Sequence, residues 1–330
     1  MVFSPEDIGR IRVAPAADPV WELILSLHLI QENDPAIPGW RRDVTSRLRR
    51  ADALSRLRLL VALNPPRGYF PDFLTPYDSL FGFAAGIDAI RSTPAALLRR
   101  DVTRLAADNA LPRSAAALAR GDIEMLDHLT RSMRYYQRFA ITPYWTHIQT
   151  AVDADRAQRV RVLLDSGTDA LLTSLGPAVR WEGGVLEVHD YPTDREVHLD
   201  GRGLLLVPSF FCVRVPVALA DPGLPPVLVY PVDRFGGLAS VPDPTAPPES
   251  SSESGREALA ALLGRTRAAV LEAVGDGCST GAVARRLHIS PAAASQHATV
   301  LRNAGLLVSR RDRNTVLHTL TPLGRAVLNR

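Results

Sequence analysis

Near the C-terminus, the stretch Ser290-Pro291-Ala292-Ala293-Ala294-Ser295-Gln296-His297-Ala298-Thr299 carries a set of side chains suited to one kind of chemistry. A Gln amide can offer paired donor and acceptor contacts to adenine, Ser and Thr hydroxyls bond to base edges or phosphate, and an Ala methyl can meet the methyl of thymine. On a helix starting at Pro291, Ala294, Ala298 and Leu301 fall at i, i+4 and i+7 and turn inward. The other side then presents Ala292, Ala293, Ser295, Gln296 and Thr299, with no bulk to keep it out of a major groove. Arg302 ends that helix, and Arg310, Arg311 and Arg313 follow within a few residues. With Ser290 they form a set for phosphate or minor-groove contact, where guanidinium is favoured electrostatically. The plain alternative is a solvated helix and a solvated basic turn.

The elements that must position these residues can be read around them. Glu257–Val274 has an apolar stripe and predicts a long helix, and Gly275-Asp276-Gly277 breaks it. Ser279 or Thr280 caps a second helix through Leu287, and His288-Ile289-Ser290 makes a turn. Ser290 with Pro291 is a strong start signal for the third helix, which Gly305 ends. Leu306–Arg310 and Thr315–Leu320 then read as two strands joined by the basic turn 311–314. The order is helix, turn, helix and basic hairpin, a winged helix-turn-helix.

These residues resemble the ArsR-type winged-helix repressors. The likeness rests on Leu262-Leu263-Gly264-Arg265, Val283-Ala284-Arg285-Arg286-Leu287-His288-Ile289-Ser290, Ser295-Gln296-His297 and Leu301-Arg302-Asn303-Ala304-Gly305-Leu306-Leu307, over residues 256–328. It implies a homodimer on double-stranded DNA, a recognition helix at Pro291–Asn303 and repression relieved by an effector. Metal-sensing members carry a Cys-x-Cys pair where this chain has Ser279 and Gly281, with Cys278 out of register. A thiolate site needs several converging ligands, so no metal is expected.

Charge agrees with this division. Residues 256–330 hold eleven Arg against four acids, a balance of +7, whereas residues 1–255 carry −4. Between them, 239–255 holds four Pro and five Ser and predicts an interdomain linker. Residues 1–238 form the larger domain. Helical spacing is expected at Pro19–Gln31, Trp40–Ala62, Tyr77–Ile90, Pro94–Asp108, Gly121–Thr142 and Asp153–Leu175. A short strand is expected at Ile8–Ala14, a hairpin around Gly183-Gly184, and strands at Glu196–Leu199, Leu204–Val207, Cys212–Val217 and Val227–Val232. The fold class expected is α+β: a mostly helical N-terminal domain with a small antiparallel sheet, plus the C-terminal winged helix.

The first domain has the size of a regulatory or oligomerisation domain. Its aromatic cluster Tyr135, Tyr136, Phe139, Tyr144 and Trp145 either lines an apolar pocket for a small-molecule effector or packs the core. No catalytic constellation emerges. His128 and His147 are too far apart for a helical pair, His189 and His198 lack a third ligand, and Gly201-Arg202-Gly203 precedes a strand rather than opening a helix. No cofactor is expected. Only two Cys, no apolar run near the roughly 20 residues of a membrane span, and no basic leader suggest a cytoplasmic protein. The expectation is a DNA-binding transcription regulator and repressor. The alternative is an enzyme in residues 1–238 fused to a degenerate winged helix used for protein interaction.

Overall fold

The structure, a computed structural model, describes residues 1–32, 34, 36–51, 53–191, 194–232, 259–274, 277–312 and 315–328. The chain is α+β and divides into two compact units, Met1–Val241 and Pro242–Arg330. The linker expected at 239–255 lies outside the described residues.

In the first unit, α1 (Pro5–Ile8) leads to β1 (Arg12–Val13), then to α2 (Pro19–Glu32). Asp18 starts α2 by accepting the N–H groups of Val20 and Trp21 at 2.9 and 3.1 Å. This helix is buried on nearly every side, from Pro19 through Leu27, as expected of a central helix. After it come α3 (Pro38–Arg50), α4 (Leu54–Leu63), α5 (Phe83–Arg91), α6 (Ala95–Asp108), α7 (Arg113–Ala119), α8 (Ile123–Ala140) and α9 (Trp145–Thr173), of which α3, α5 and α8 pack on α2. The expected single helix Trp40–Ala62 is thus two helices. The expected Tyr77–Ile90 helix opens as a 3-10 turn at Tyr77–Phe81. Gly167, at φ 79°, breaks α9 internally.

The strands are β2 (Val179–Glu182), β3 (Val185–Val188), β4 (Leu205–Ser209), β5 (Val217–Ala218) and β6 (Val227–Pro231). β2 and β3 form the expected antiparallel hairpin. The main sheet corrects the expectation of a purely antiparallel one. Its order is β1-β4-β6-β5, with β1–β4 and β4–β6 parallel and only β5–β6 antiparallel. The reason is burial on both faces. Leu205, Val207, Val227 and Val229 join the large helical core, while Leu206, Leu228 and Tyr230 join a second core with Leu171, Leu172 and Leu186. Strands covered on both sides read as continuous apolar runs, the habit of parallel sheets. Glu196–Leu199 forms only a bridge at His198, and Cys212–Val217 is loop until its last residue.

In the second unit, α10 (Arg265–Val274) follows a break at Gly264, whose φ is +84°; the expected unbroken helix is interrupted there. Next come β7 (Cys278–Ser279), α11 (Thr280–Leu287), α12 (Pro291–Asn303), β8 (Leu307–Asp312), β9 (Thr315–Leu320) and α13 (Pro322–Leu328). The strands form one sheet, β7-β9-β8. Val270, Leu271, Val283, Ala284, Ala294, Ala298 and Leu301 build the core. Among the described residues no helix is long and apolar enough to cross a membrane.

Candidate nucleic-acid interface

The geometry of α11 and α12 follows from their caps. Ser279 caps α11, its Oγ accepting the Ala282 N–H at 3.3 Å. His288 stops that helix in the left-handed region, at φ 53°. Two residues later Ser290 caps α12, its Oγ accepting the Ala293 N–H at 3.1 Å, with Pro291 in the first turn. Small inward residues, Ala284 on α11 with Ala294 and Ala298 on α12, share one apolar core and let the two helices pack closely.

The opposite side of α12 is open. Ala292, Ser295, Gln296, Thr299 and Arg302 are exposed, and so is Ser290 at its start. Ala293 is half-buried, and its N–H is committed to the Ser290 cap. The expected base-facing set therefore stands on one exposed face, with Ala293 at its margin. The Ser290 oxygen is engaged as an acceptor, which leaves its hydroxyl proton to donate outward.

The hairpin β8–β9 runs in register from Leu307↔Leu320 to Asp312↔Thr315. Leu307 is buried whereas Val308 and Arg310 are exposed, so Arg310 lies on the outward side. The Arg311 backbone pairs with Val316, its side chain lies outside the described residues, and so does all of Arg313. Arg302 and Arg310 are exposed and make no ion pair among the described residues.

One residue that the sequence reading missed ties these parts together. His318 on β9 is 5% exposed. Its Nε2 lies 2.8 Å from Thr280 Oγ1 on α11, and its Nδ1 lies 2.8 Å from Ser309 Oγ on β8. β7 pairs with β9 at Cys278↔His318, so helix, hairpin and short strand meet at this ring. Burial and then the nearby positive charge of Arg302 push the His318 pKa below its ordinary value, which keeps the ring neutral. α12 itself packs against β8, which sets the helix beside the hairpin. The available signal was a lone His in a strand otherwise made of Thr, Val and Leu.

The aromatic cluster of the first unit is core, not a pocket. Tyr136 and Tyr144 are buried, with hydroxyls bonded to Ser26 at 3.0 Å and to the Asp43 carboxylate. Tyr135, Phe139 and Trp145 pack partly buried against the same core, and Tyr135 meets Phe139 at 4.8 Å between centroids. On α8, Tyr136 reaches α2 through Ser26, and Tyr135 lies under Arg56 of α4, whose guanidinium is 5.3 Å from the ring centroid.

No family model matches this chain, and neither a curated protein nor a solved structure matches it.

Proposed function

We propose that the chain is a cytoplasmic, sequence-specific DNA-binding regulator of transcription. Its second unit acts as a winged helix-turn-helix, and it works as a homodimeric repressor whose first unit modulates DNA affinity. One observation carries the reading: the firmly capped helix α12 exposes small and hydrogen-bonding side chains, ends at an exposed Arg302 and packs against an arginine-bearing hairpin. Such a helix fits the roughly 12 Å major groove, with the hairpin reaching the adjoining backbone.

The composition of the second unit favours duplex over single strands. Residues 242–330 contain no Phe, Tyr or Trp. Single-strand binders stack bases on aromatic rings, and none is available here. Base reading falls to Ser295, Gln296 and Thr299, and phosphate contact to Arg302, Arg310, Arg311 and Arg313.

Selection of bound genomic fragments with the full chain tests this. Discrete sites are expected, with log affinity falling against log salt at a slope of about −6 for a dimer neutralising three to four phosphates per subunit. Gln296→Ala should change the preferred sequence, whereas Arg302→Ala with Arg310→Ala should weaken all sequences alike. Wild-type behaviour in both variants, or no discrete sites, sinks the proposal.

A further inference from the structure

The first unit contains a cavity of about 390 Å³, apart from the aromatic cluster of α8. It begins two residues beyond the carboxyl end of β4, between the 211–218 segment, α2 and the 66–72 loop. In sheets with parallel strands, ligands gather outside the carboxyl ends. Its volume falls within the roughly 300–1,000 Å³ of small-molecule sites. At about 30 Å³ per water-sized group, it has room for about a dozen non-hydrogen atoms.

The walls are apolar: Leu25 and Leu29 from α2, Phe70, and Phe211. Phe70 is held edge-on by Trp21 and by His28, at 6.1 and 5.5 Å between centroids. His28 adds no positive charge. It bonds Asn64 Oδ1 through Nε2 at 2.8 Å, and burial pushes its pKa down to about 4.

Four arginines border the cavity, and they divide into two pairs. Arg67 and Arg214 both bind the Glu32 carboxylate, at 2.8 and 2.7 Å, and Arg214 also binds Asp34 at 2.5 Å. Their charge is spent. Arg104 lies over the Tyr69 ring at 4.2 Å and has no carboxylate partner within 4.0 Å among the described residues. Arg195 lies 5.7 Å from the Tyr191 ring centroid and donates to the carbonyl of Leu219 at 2.7 Å, again without an ion pair. Stacking on tyrosines and bonding to carbonyls fixes these two guanidiniums while leaving donors to spare, since Arg carries five N–H groups. Of the other acids lining the cavity, Asp72 is occupied by the N–H groups of Ala220 and Asp221 at 2.9 and 2.8 Å, and Asp190 is exposed with no ion pair among the described residues.

We infer that this cavity binds a small organic anion, an apolar chain or ring of about ten atoms ending in a carboxylate, with the apolar part against Phe70 and Phe211 and the carboxylate at Arg104 and Arg195. An effector role for that anion rests on the DNA-binding reading above; its capture does not.

Calorimetric titration of the full chain tests it, using 4-phenylbutyrate, octanoate and hexanoate, each beside its uncharged amide. At least one acid should bind with a dissociation constant below about 1 mM, and at least tenfold more tightly than its amide. Arg104→Ala with Arg195→Ala should abolish that preference and leave amide binding unchanged. Val213→Trp, from a half-buried loop position on the cavity wall, should remove binding of both. The arginine pair is the deciding variant should the tryptophan disturb folding, which the tryptophan emission of the first unit reports. No binding by any acid, equal binding of acids and amides, or a charge preference that survives the double substitution overturns the assignment. A chain that captured the acids yet ignored DNA would sink the regulator reading and leave this one standing.

Discussion

The two units solve the problem of buried polarity in opposite ways. Asp7, Asp18, Glu22, Asp34, Asp72, Asp101, Asp155 and Arg159 are all buried in the first unit. In the second, among the described residues, His318 is the only buried polar side chain. The acids of the first unit act as staples on irregular backbone. Glu22 accepts from Ser209 Oγ and from the N–H groups of Phe210 and Phe211, all between 2.8 and 3.0 Å, and so fixes the turn leaving β4. Asp72 does the same for residues 220–221, and Asp7 for Gly203. The second unit is held instead by a small aliphatic core and two serine caps, with its polar groups turned outward. One unit spends its polar groups on its own architecture, and the other, among the described residues, leaves all but His318 outside its core.

That contrast can be broken most severely at Glu22. Glu22→Ala leaves three buried donors without an acceptor and should cost about 4 kcal/mol. All four Trp precede residue 182, so tryptophan emission during urea unfolding reads the first unit alone. Hydrogen exchange over 265–320 should be unchanged; a parallel loss there would mean the units are not separately stabilised.

The next largest effect is one of pH. Burial lifts the Glu22 pKa from 4.5 to about 7, against hydrogen bonds that favour the carboxylate. A folded-state value above the unfolded one gives stability that is complete below about pH 4.5 and lost as pH rises through 7, amounting to about 3 kcal/mol. Unfolding free energies of the wild type should fall by that amount relative to Glu22→Gln between pH 4.5 and 8. The opposite contribution of His28 is common to both proteins and cancels.

His318→Leu sharpens the comparison from the other side. It strands the hydroxyls of Thr280 and Ser309 and should cost the second unit about 2 kcal/mol, seen as faster exchange in 278–320 with tryptophan emission unmoved. Because its folded pKa is depressed, wild-type protection there should fall as pH drops below 6.5, and the Leu variant should lack that dependence. The smallest effect is shared. Ser290→Ala removes the cap of α12, and Asp122→Ala removes that of α8, where the carboxylate accepts from Glu124 and Met125. Each should cost about 1 kcal/mol, measured by exchange in the first turn.

The sequence made some of this legible and hid the rest for physical reasons. The bounds of α12 could be read because Ser290-Pro291 and Gly305 are local signals that need no tertiary partner. So could the diglycine hairpin, whereas the expected break at 275–277 falls largely outside the described residues. The short helix Arg113–Ala119 escaped notice, although Pro112 stood at its start. The parallel pairing of β4 and β6 was not legible, since pairing direction depends on what covers both faces. Nor were the stapling acids, because a buried Asp and a solvated one look alike until the backbone they serve is in place. The rings of Tyr135, Tyr136, Phe139, Tyr144 and Trp145 favoured a core over a pocket on type alone, and the helices packed around them decide it. The anion cavity draws on segments as distant as 25 and 218, beyond the reach of any local pattern.

The main sheet has a further consequence for how the protein fails. Its two inner strands, Leu205–Ser209 and Val227–Pro231, are shielded at the borders by strands only two residues long, Arg12–Val13 and Val217–Ala218. Such stubby borders give a neighbouring molecule almost no ladder to extend, so the folded chain resists growing into fibres. Heating past the transition removes that shield and frees two aliphatic, β-prone segments at once. Thermal inactivation should accordingly end in precipitate and depend on scan rate, while denaturant unfolding at low concentration stays reversible.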